Sequence, residues 1–309
     1  MILCCGEALI DMIPKPTDTD GIGYVPYTGG AIFNTAIGLG RLGVKVGMLS
    51  GISTDLFGEQ LAAALNASDV ETSRLIRSDC PTTLAFVRLV DGHATYSFYD
   101  ENSAGRTILT SDLPDLSDEI EAMYFGGISL CFEPGATTYQ ALQERECAKR
   151  VVMLDPNIRP SFVEDVEVYR ARIDAMVANS DIVKVSDEDL NWIYPGAESL
   201  AEKLKKIHAA GPSVVILTRG EEGSTAFLAN GAEIHAAVEK VDVVDTVGAG
   251  DTFNAGFLAR LSELGLLTKA ALRSAKPDEI QSALAFGAKV AAVTVSRAGA
   301  NPPWRSELG

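Results

Sequence analysis

The segment Val244-Asp245-Thr246-Val247-Gly248-Ala249-Gly250-Asp251-Thr252-Phe253 combines three small residues with a carboxylate where an apolar helical pattern begins (Phe253, Phe257, Leu258, Leu261). Small residues let a backbone approach a ligand closely. At a helix start the first N–H groups lack intrahelical acceptors and the peptide dipoles add, so the place favours an anion. A carboxylate there weakens simple anion binding but suits phosphoryl transfer. Asp251 can take a proton from an attacking hydroxyl while the backbone at Gly248, Ala249 and Gly250 holds the developing charge. The same residues also suit a glycine turn capped by an aspartate. On this segment alone the two readings stand level.

A second motif separates them. Gly29-Gly30-Ala31-Ile32-Phe33-Asn34-Thr35-Ala36, running to Arg41-Leu42-Gly43, also opens a helix on two glycines and sets an asparagine one turn in. Together the two segments resemble the paired signatures of the PfkB (ribokinase-like) family of sugar kinases, in order and spacing over essentially the whole chain. The resemblance implies an α/β fold, a three-layer αβα sandwich with a mainly parallel central sheet and a small β-sheet lid. It implies one kinase domain over 1–309, its lid drawn from about 12–28 and 84–100. It further implies ATP and Mg²⁺, with K⁺ as a further cation in several relatives, and a homodimer.

Composition is consistent with that expectation. Apolar residues make up 47% of the 309, enough to fill a large core, and the net charge of −16 argues against nucleic acid or an anionic membrane as partner. No apolar run reaches the length of a membrane span. Five scattered cysteines without a C-x-x-C spacing suggest reduced thiols and a cytoplasmic location. Three isolated histidines, at 93, 208 and 235, argue against a zinc site or a histidine-based triad.

The elements that must position the motifs alternate. Short apolar runs predict buried strands over 2–8, 44–50, 122–125, 151–154, 182–185 and 214–218. Helical patterns over 57–65, 139–145, 168–178 and 199–209 lie between them, and 253–263 and 278–292 follow, with a closing strand near Thr294-Val295. Strand and helix at this spacing predict a parallel sheet covered on both faces. Two stretches differ, 21–28 and 84–99; the second reads as a hairpin turning at Asp91-Gly92. Gly38-Leu39-Gly40-Arg41-Leu42-Gly43 matches a dinucleotide fingerprint, but it ends a helical pattern and precedes a strand. It therefore reads as close helix packing with a glycine C-cap.

Asp11 is expected at the end of the first strand, where open α/β sheets bind ligands, its carboxylate accepting from adjacent sugar hydroxyls. The resemblance assigns Gly29, Gly30 and Asn34 to the sugar side as well. Asp155-Pro156-Asn157-Ile158-Arg159-Pro160 is similar to a segment of fructokinase-like and ketodeoxygluconate-kinase-like members, which makes Arg159 a group for a sugar oxygen or the transferring phosphoryl. Lys184 and Ser186 fall on the nucleotide side by the same resemblance. Many relatives read N-x-x-E where this chain has Ser186-Asp187-Glu188-Asp189, so Glu188 and Asp189 are the alternatives for holding Mg²⁺ through water. Thr218, Gly220 and Gly223 resemble the ATP-side loop, Ala285 suits a flat adenine pocket, and Asp245 matches the monovalent-cation aspartate of several relatives. The opening motif, the Asp155 segment and 99–106 look most like bacterial fructokinases. They imply phosphorylation of D-fructose at its 6-hydroxyl, with 2-dehydro-3-deoxygluconate kinase or ribokinase as alternatives. A non-catalytic sugar-binding regulator is the alternative from a different class.

Overall fold

The computed structural model describes residues 1–18, 21–90 and 93–309. In chain order the strands are β1 (Ile2–Cys5), β2 (Leu9–Pro16), β3 (Ile22–Gly29), β4 (Val46–Leu49), β5 (Gly51–Ser53), β6 (Val70–Glu71), β7 (Ile76–Ser78), β8 (Leu84–Val90), β9 (His93–Tyr99), β10 (Ala122–Gly126), β11 (Val151–Asp155), β12 (Ile182–Ser186), β13 (Val214–Thr218), β14 (Ser224–Leu228) and β15 (Glu233–Ala236). The helices are α1 (Ala31–Arg41), α2 (Leu56–Ala67), α3 (Gly135–Glu146), α4 (Val166–Ala178), α5 (Asp187–Ile193), α6 (Leu200–Ala210), α7 (Ala249–Glu263), α8 (Lys269–Arg273) and α9 (Pro277–Val295).

Nine strands form the main sheet in the order β15-β14-β13-β12-β11-β10-β1-β4-β6. From β13 to β6 the pairs are parallel, and β14 and β15 add an antiparallel edge. Alternate residues of one strand feed two cores. Ile2 and Cys4 pack with α1, α7 and α9, whereas Leu3 and Cys5 pack with α3, α4 and α6. A strand buried on both faces reads as a continuous apolar run, which is why all six predicted strands are present.

A separate four-stranded sheet, in the order β3-β2-β8-β9, takes up the two stretches that broke the rhythm. Its hairpin pairs Val90 with His93; the predicted turn at Asp91-Gly92 lies outside the described residues. Glycines at 38 and 40 serve packing. A Cβ on Gly38 would meet the Ala255 methyl at 2.7 Å, and one on Gly40 the Ser68 carbonyl oxygen at 1.9 Å. Gly43 follows the end of α1 with φ +80°, the left-handed geometry expected of a C-terminal glycine.

Two expectations are corrected. The closing strand near Thr294-Val295 is absent because α9 runs through Val295, with the Thr294 hydroxyl donating to the Val290 carbonyl at 3.2 Å. Asp11 does not end the first strand. β1 stops at Cys5, the chain crosses at Gly6-Glu7-Ala8 into the smaller sheet, and Asp11 is the third residue of β2, opposite Tyr27 of β3 and Ala85 of β8.

Candidate active site

The glycine segment sets Asp251. Gly248 is the residue before α7, with φ +78°, and a Cβ there would also meet Ala300 Cβ at 2.7 Å. Both the backbone angle and the close approach require glycine. Asp251 is therefore the third residue of the helix and not its cap. The N–H of Ala249 donates to the Thr246 carbonyl at 3.2 Å. Among the described residues those of Gly248, Gly250 and Asp251 meet no acceptor, so the free donors at this helix end are shifted from the expected trio. α7 is fifteen residues long, and its dipole adds to these donors.

Asp251 is buried, and its Oδ2 accepts from Asn34 Nδ2 at 2.9 Å. Asn34 sits one turn into α1, which Gly30 opens at φ +107°. The amide expected on the sugar side thus holds the Asp251 carboxylate. Thr35 donates to the Asp251 carbonyl oxygen at 3.1 Å and ties the two helices together. Burial lifts the Asp251 carboxyl from its ordinary 3.8 to about 7; the Asn34 bond and the Lys184 charge oppose that rise, and Asp155 and Glu7 add to it.

Beside the start of α1 lies a cavity of about 110 Å³ walled by Asp11, Glu7, Gly30, Asn157, Arg159 and Phe98, among others. Asp11 and Arg159 are thereby brought to one space, although Asp11 lies on the smaller sheet and Arg159 in the loop after β11 of the main one. A Cβ on Gly29 would strike Asp11 Oδ2 at 2.2 Å, so the glycine makes room for that carboxylate. Burial raises the Asp11 carboxyl to about 6. Arg159 Nη1 is aimed by Asn157 Oδ1 at 2.8 Å, and Asn157 itself has φ +43°. A smaller space of about 20 Å³ shares Glu7 and Ile128 with the first and reaches Asp100 and Arg106.

Glu7 escaped the sequence reading. Its carboxylate accepts from the N–H groups of Ala31 at 3.1 Å and Ser129 at 3.3 Å, and it leaves no room for a Cβ on Gly127. Burial raises its pKa against those bonds. Its position two residues past β1 was visible, but not its reach to α1.

The residues expected on the nucleotide side differ in how they are engaged. Lys184 is buried, and its Nζ lies 3.0 Å from Asp155 Oδ2. Burial acts to lower its pKa, but Asp155, Asp189 and Asp251 hold it above the ordinary value, so it stays charged. Ser186 caps α5, its Oγ accepting from the Asp189 N–H at 2.9 Å. Asp189 returns a bond to the Ser186 N–H at 3.2 Å and accepts from the Ile158 N–H at 2.8 Å. Both Asp189 oxygens are thus committed to backbone, and Glu188 is the exposed acid of the pair. Thr218 ends β13, and Gly220 and Gly223 follow with φ +47° and +87°. A Cβ on Gly223 would lie 2.3 Å from the Ala236 carbonyl oxygen. Ala285 is exposed on α9. Asp245 accepts from the N–H groups of Val247 at 3.0 Å and Gly299 at 2.9 Å, which closes the loop before the glycine turn. Among the described residues no group of three or more His, Cys, Asp or Glu side chains could hold a metal alone.

A model of the pfkB family carbohydrate kinases matches residues 1–307. The chain belongs to that family. It is an ATP-dependent carbohydrate kinase, and the family uses a divalent metal with ATP. It is 52% identical over 269 residues to a fructokinase of Rhizobium leguminosarum bv. trifolii, covering 87% of this chain and 82% of that one. A fructokinase of Klebsiella pneumoniae is 30% identical over 98% of this chain and 96% of its own length. The crystal structure of a Xylella fastidiosa fructokinase with bound ATP superposes with a TM-score of 0.91 at 28% identity, covering 99% of this chain and 96% of the other. The ribokinase-like α/β fold follows from that likeness. No helix among the described residues is long and apolar enough to cross a membrane.

Proposed function

We propose that this kinase transfers the γ-phosphoryl group of ATP to the 6-hydroxyl of D-fructose, with Asp251 as general base. The observation that carries the mechanism is Asp251 itself. Its carboxylate is buried, raised to about 7, aimed by Asn34, and set at a helix end whose free N–H groups form an anion hole. A base poised near neutral pH is matched to deprotonating an alcohol in the transition state. The 52% identity to a fructokinase supports the sugar.

The sugar lies in the cavity between Asp11 and Arg159, with Glu7 and Asn157 as further hydrogen-bonding groups. Its hydroxyl points past Gly30 toward Asp251. As the oxygen attacks, its proton passes to the carboxylate, and the γ-phosphoryl oxygens are held by the N–H groups of Gly248, Gly250 and Asp251. Thr218, Gly220, Gly223 and Ala285 line the nucleotide path. Mg²⁺ would neutralise the phosphates. A site without a dedicated carboxylate cage suits an ion that keeps mostly water and phosphate ligands, and Glu188 would hold it through water. Asp245 would be the residue for a K⁺ ion. The smaller sheet acts as the lid, which closes over the sugar and excludes water. Its face turned away from Asp11 carries exposed Ile22, Tyr24 and Tyr99, which supports a homodimer formed through the lid.

The test is ADP release from Mg-ATP with fructose, ribose, 2-dehydro-3-deoxygluconate, glucose and adenosine. The highest kcat/KM is expected with fructose. A higher value on another acceptor removes the substrate assignment and keeps the mechanism. Silence on all of them favours a sugar-binding regulator.

A further inference from the structure

Beneath the anion hole lies a buried polar layer that the transfer step does not use directly. Asn254 follows Asp251 by three residues on α7, on the same helix face, and is fully buried. Its Nδ2 donates to Asp155 Oδ2 at 2.7 Å and to the Tyr124 hydroxyl at 2.9 Å, while its Oδ1 has no partner. Asp155 Oδ2 also receives Lys184 Nζ at 3.0 Å. That ammonium lies only 3.4 Å from where a Cβ on Gly250 would stand. A fixed cation thus sits directly under the backbone of the anion hole, held by a carboxylate that Asn254 steadies.

An orphaned buried amide oxygen costs stability that a leucine of similar volume would avoid. What the amide gains is the geometry of Asp155. Without it, Lys184 is the one side-chain donor remaining on Oδ2 among the described residues, and the pair can shift together.

We propose that Asn254 is a positioning residue for phosphoryl transfer. It fixes the Asp155 carboxylate, and through it the Lys184 ammonium, under the Gly250 backbone, where the charge stabilises the transferring phosphoryl group and the ionised base. This rests on Asp251 acting as base, and not on which sugar is the acceptor.

The charged and titratable groups around Asp251 come from four places. Glu7 follows β1, Asp155 ends β11, Lys184 lies on β12, and Tyr124 lies on β10 with its pKa raised by burial and by the charges of Asp155 and Asp251. Asp189 of α5 faces Lys184. Lys184 is the cation among the groups acting on Asp251, and it lowers the base's pKa. Displacing it raises that pKa, and the acidic limb of the rate profile moves to higher pH.

The experiment compares wild type, Asn254→Leu, Lys184→Met and the double variant. Melting curves are recorded first, and every rate is expressed relative to wild type on the sugar that wild type turns over best. That choice separates a wrong acceptor from a wrong positioning role. Asn254→Leu is expected to lose about 10- to 100-fold in kcat, with the sugar KM within about two-fold, because a small misplacement costs the transition state and not ground-state binding. The acidic limb of kcat/KM should move upward in both single variants. The double variant should be no slower than Lys184→Met alone, since Asn254 acts through the lysine. Unchanged kcat in Asn254→Leu, an unmoved acidic limb, or losses that multiply in the double variant would overturn the proposal. If Asn254→Leu does not fold, Asn254→Ser, too short to span Asp155 and Tyr124, takes its place with the same expected outcomes.

Discussion

At the scale of single residues, Asp251 carries two opposed demands. A carboxylate kept near pKa 7 by burial is a serviceable base, and for the same reason an unfavourable anion in the unliganded fold. The folded value lies above the unfolded one, so this group's contribution to stability is fully present below about 3.8. It is lost as pH rises through about 7. Replacing it by a neutral isostere removes that loss, and an asparagine Oδ1 can still accept from Asn34. Asp251→Asn should therefore lose about 10²–10⁴-fold in kcat while melting at a higher temperature than wild type at pH 8. The difference in melting temperature should shrink toward pH 4. Steady-state rates and melts across that range check both halves; near-normal turnover would remove Asp251 from the base role. In wild type, kcat/KM should rise with pH through about 7 as the carboxylate ionises. With Asp11 in the proposed sugar-binding role, Asp11→Ala should raise the sugar KM at least about ten-fold and leave the Mg-ATP KM nearly unchanged. Equal increases in both would make Asp11 a structural residue.

Elements decide which of these residues could be read from sequence. The glycine segment was legible because a helix pattern starting after small residues fixes where its free N–H groups point. The partners of Asp251 and Asp155 were not, since Asn34 comes from 217 residues away and Asn254 reaches Tyr124 across 130 and Asp155 across 99. Asp11 was misplaced for a local reason. Apolar residues flank Gly6-Glu7 on both sides, so the break there reads as an interruption of one strand and not as the crossing from one sheet to the other. β14 and β15 were missed because an edge pair with alternating burial lacks the continuous apolar run that marked the central strands. Thr294-Val295 misled through its β-branched residues, which a helix tolerates when the threonine hydroxyl bonds back to the preceding turn. The turn before α7 supplies the prediction at this scale. Gly248→Ala meets both a left-handed φ and the Ala300 methyl, so the helix start must shift and the anion hole with it. A loss of about 10²-fold or more in kcat is expected, with a lower melting temperature. Unchanged kinetics would show that this turn does not shape the transition state.

For the whole molecule, the unusual surface is the outer face of the smaller sheet. Ile22 is 71% exposed and Tyr99 64%, with exposed Tyr24 on the same face. Tyr24, Phe86 and Tyr99 form an edge-to-face row that stiffens this sheet. The same sheet presents Asp11 to the cavity from β2, so whatever orders it also orders one wall of that cavity. Two copies meeting through this face would bury the exposed aromatics, at the cost of bringing together two bodies each of net charge −16. That repulsion is long-range and screened by salt, whereas the apolar contact is not. Dimerisation should therefore be tighter at 150 mM salt (Debye length about 8 Å) than at 10 mM (about 30 Å). Sedimentation at both ionic strengths measures it. The double variant Ile22→Glu, Tyr99→Arg should be monomeric at both. Its kcat should change little, but its sugar KM should rise, because the lid strands lose their partner while the base and the anion hole, built on α7 and α1, do not. A wild type that sediments as a monomer at micromolar concentration would sink this reading. So would a monomeric variant with an unaltered sugar KM, because it would show that the lid strands order without a partner.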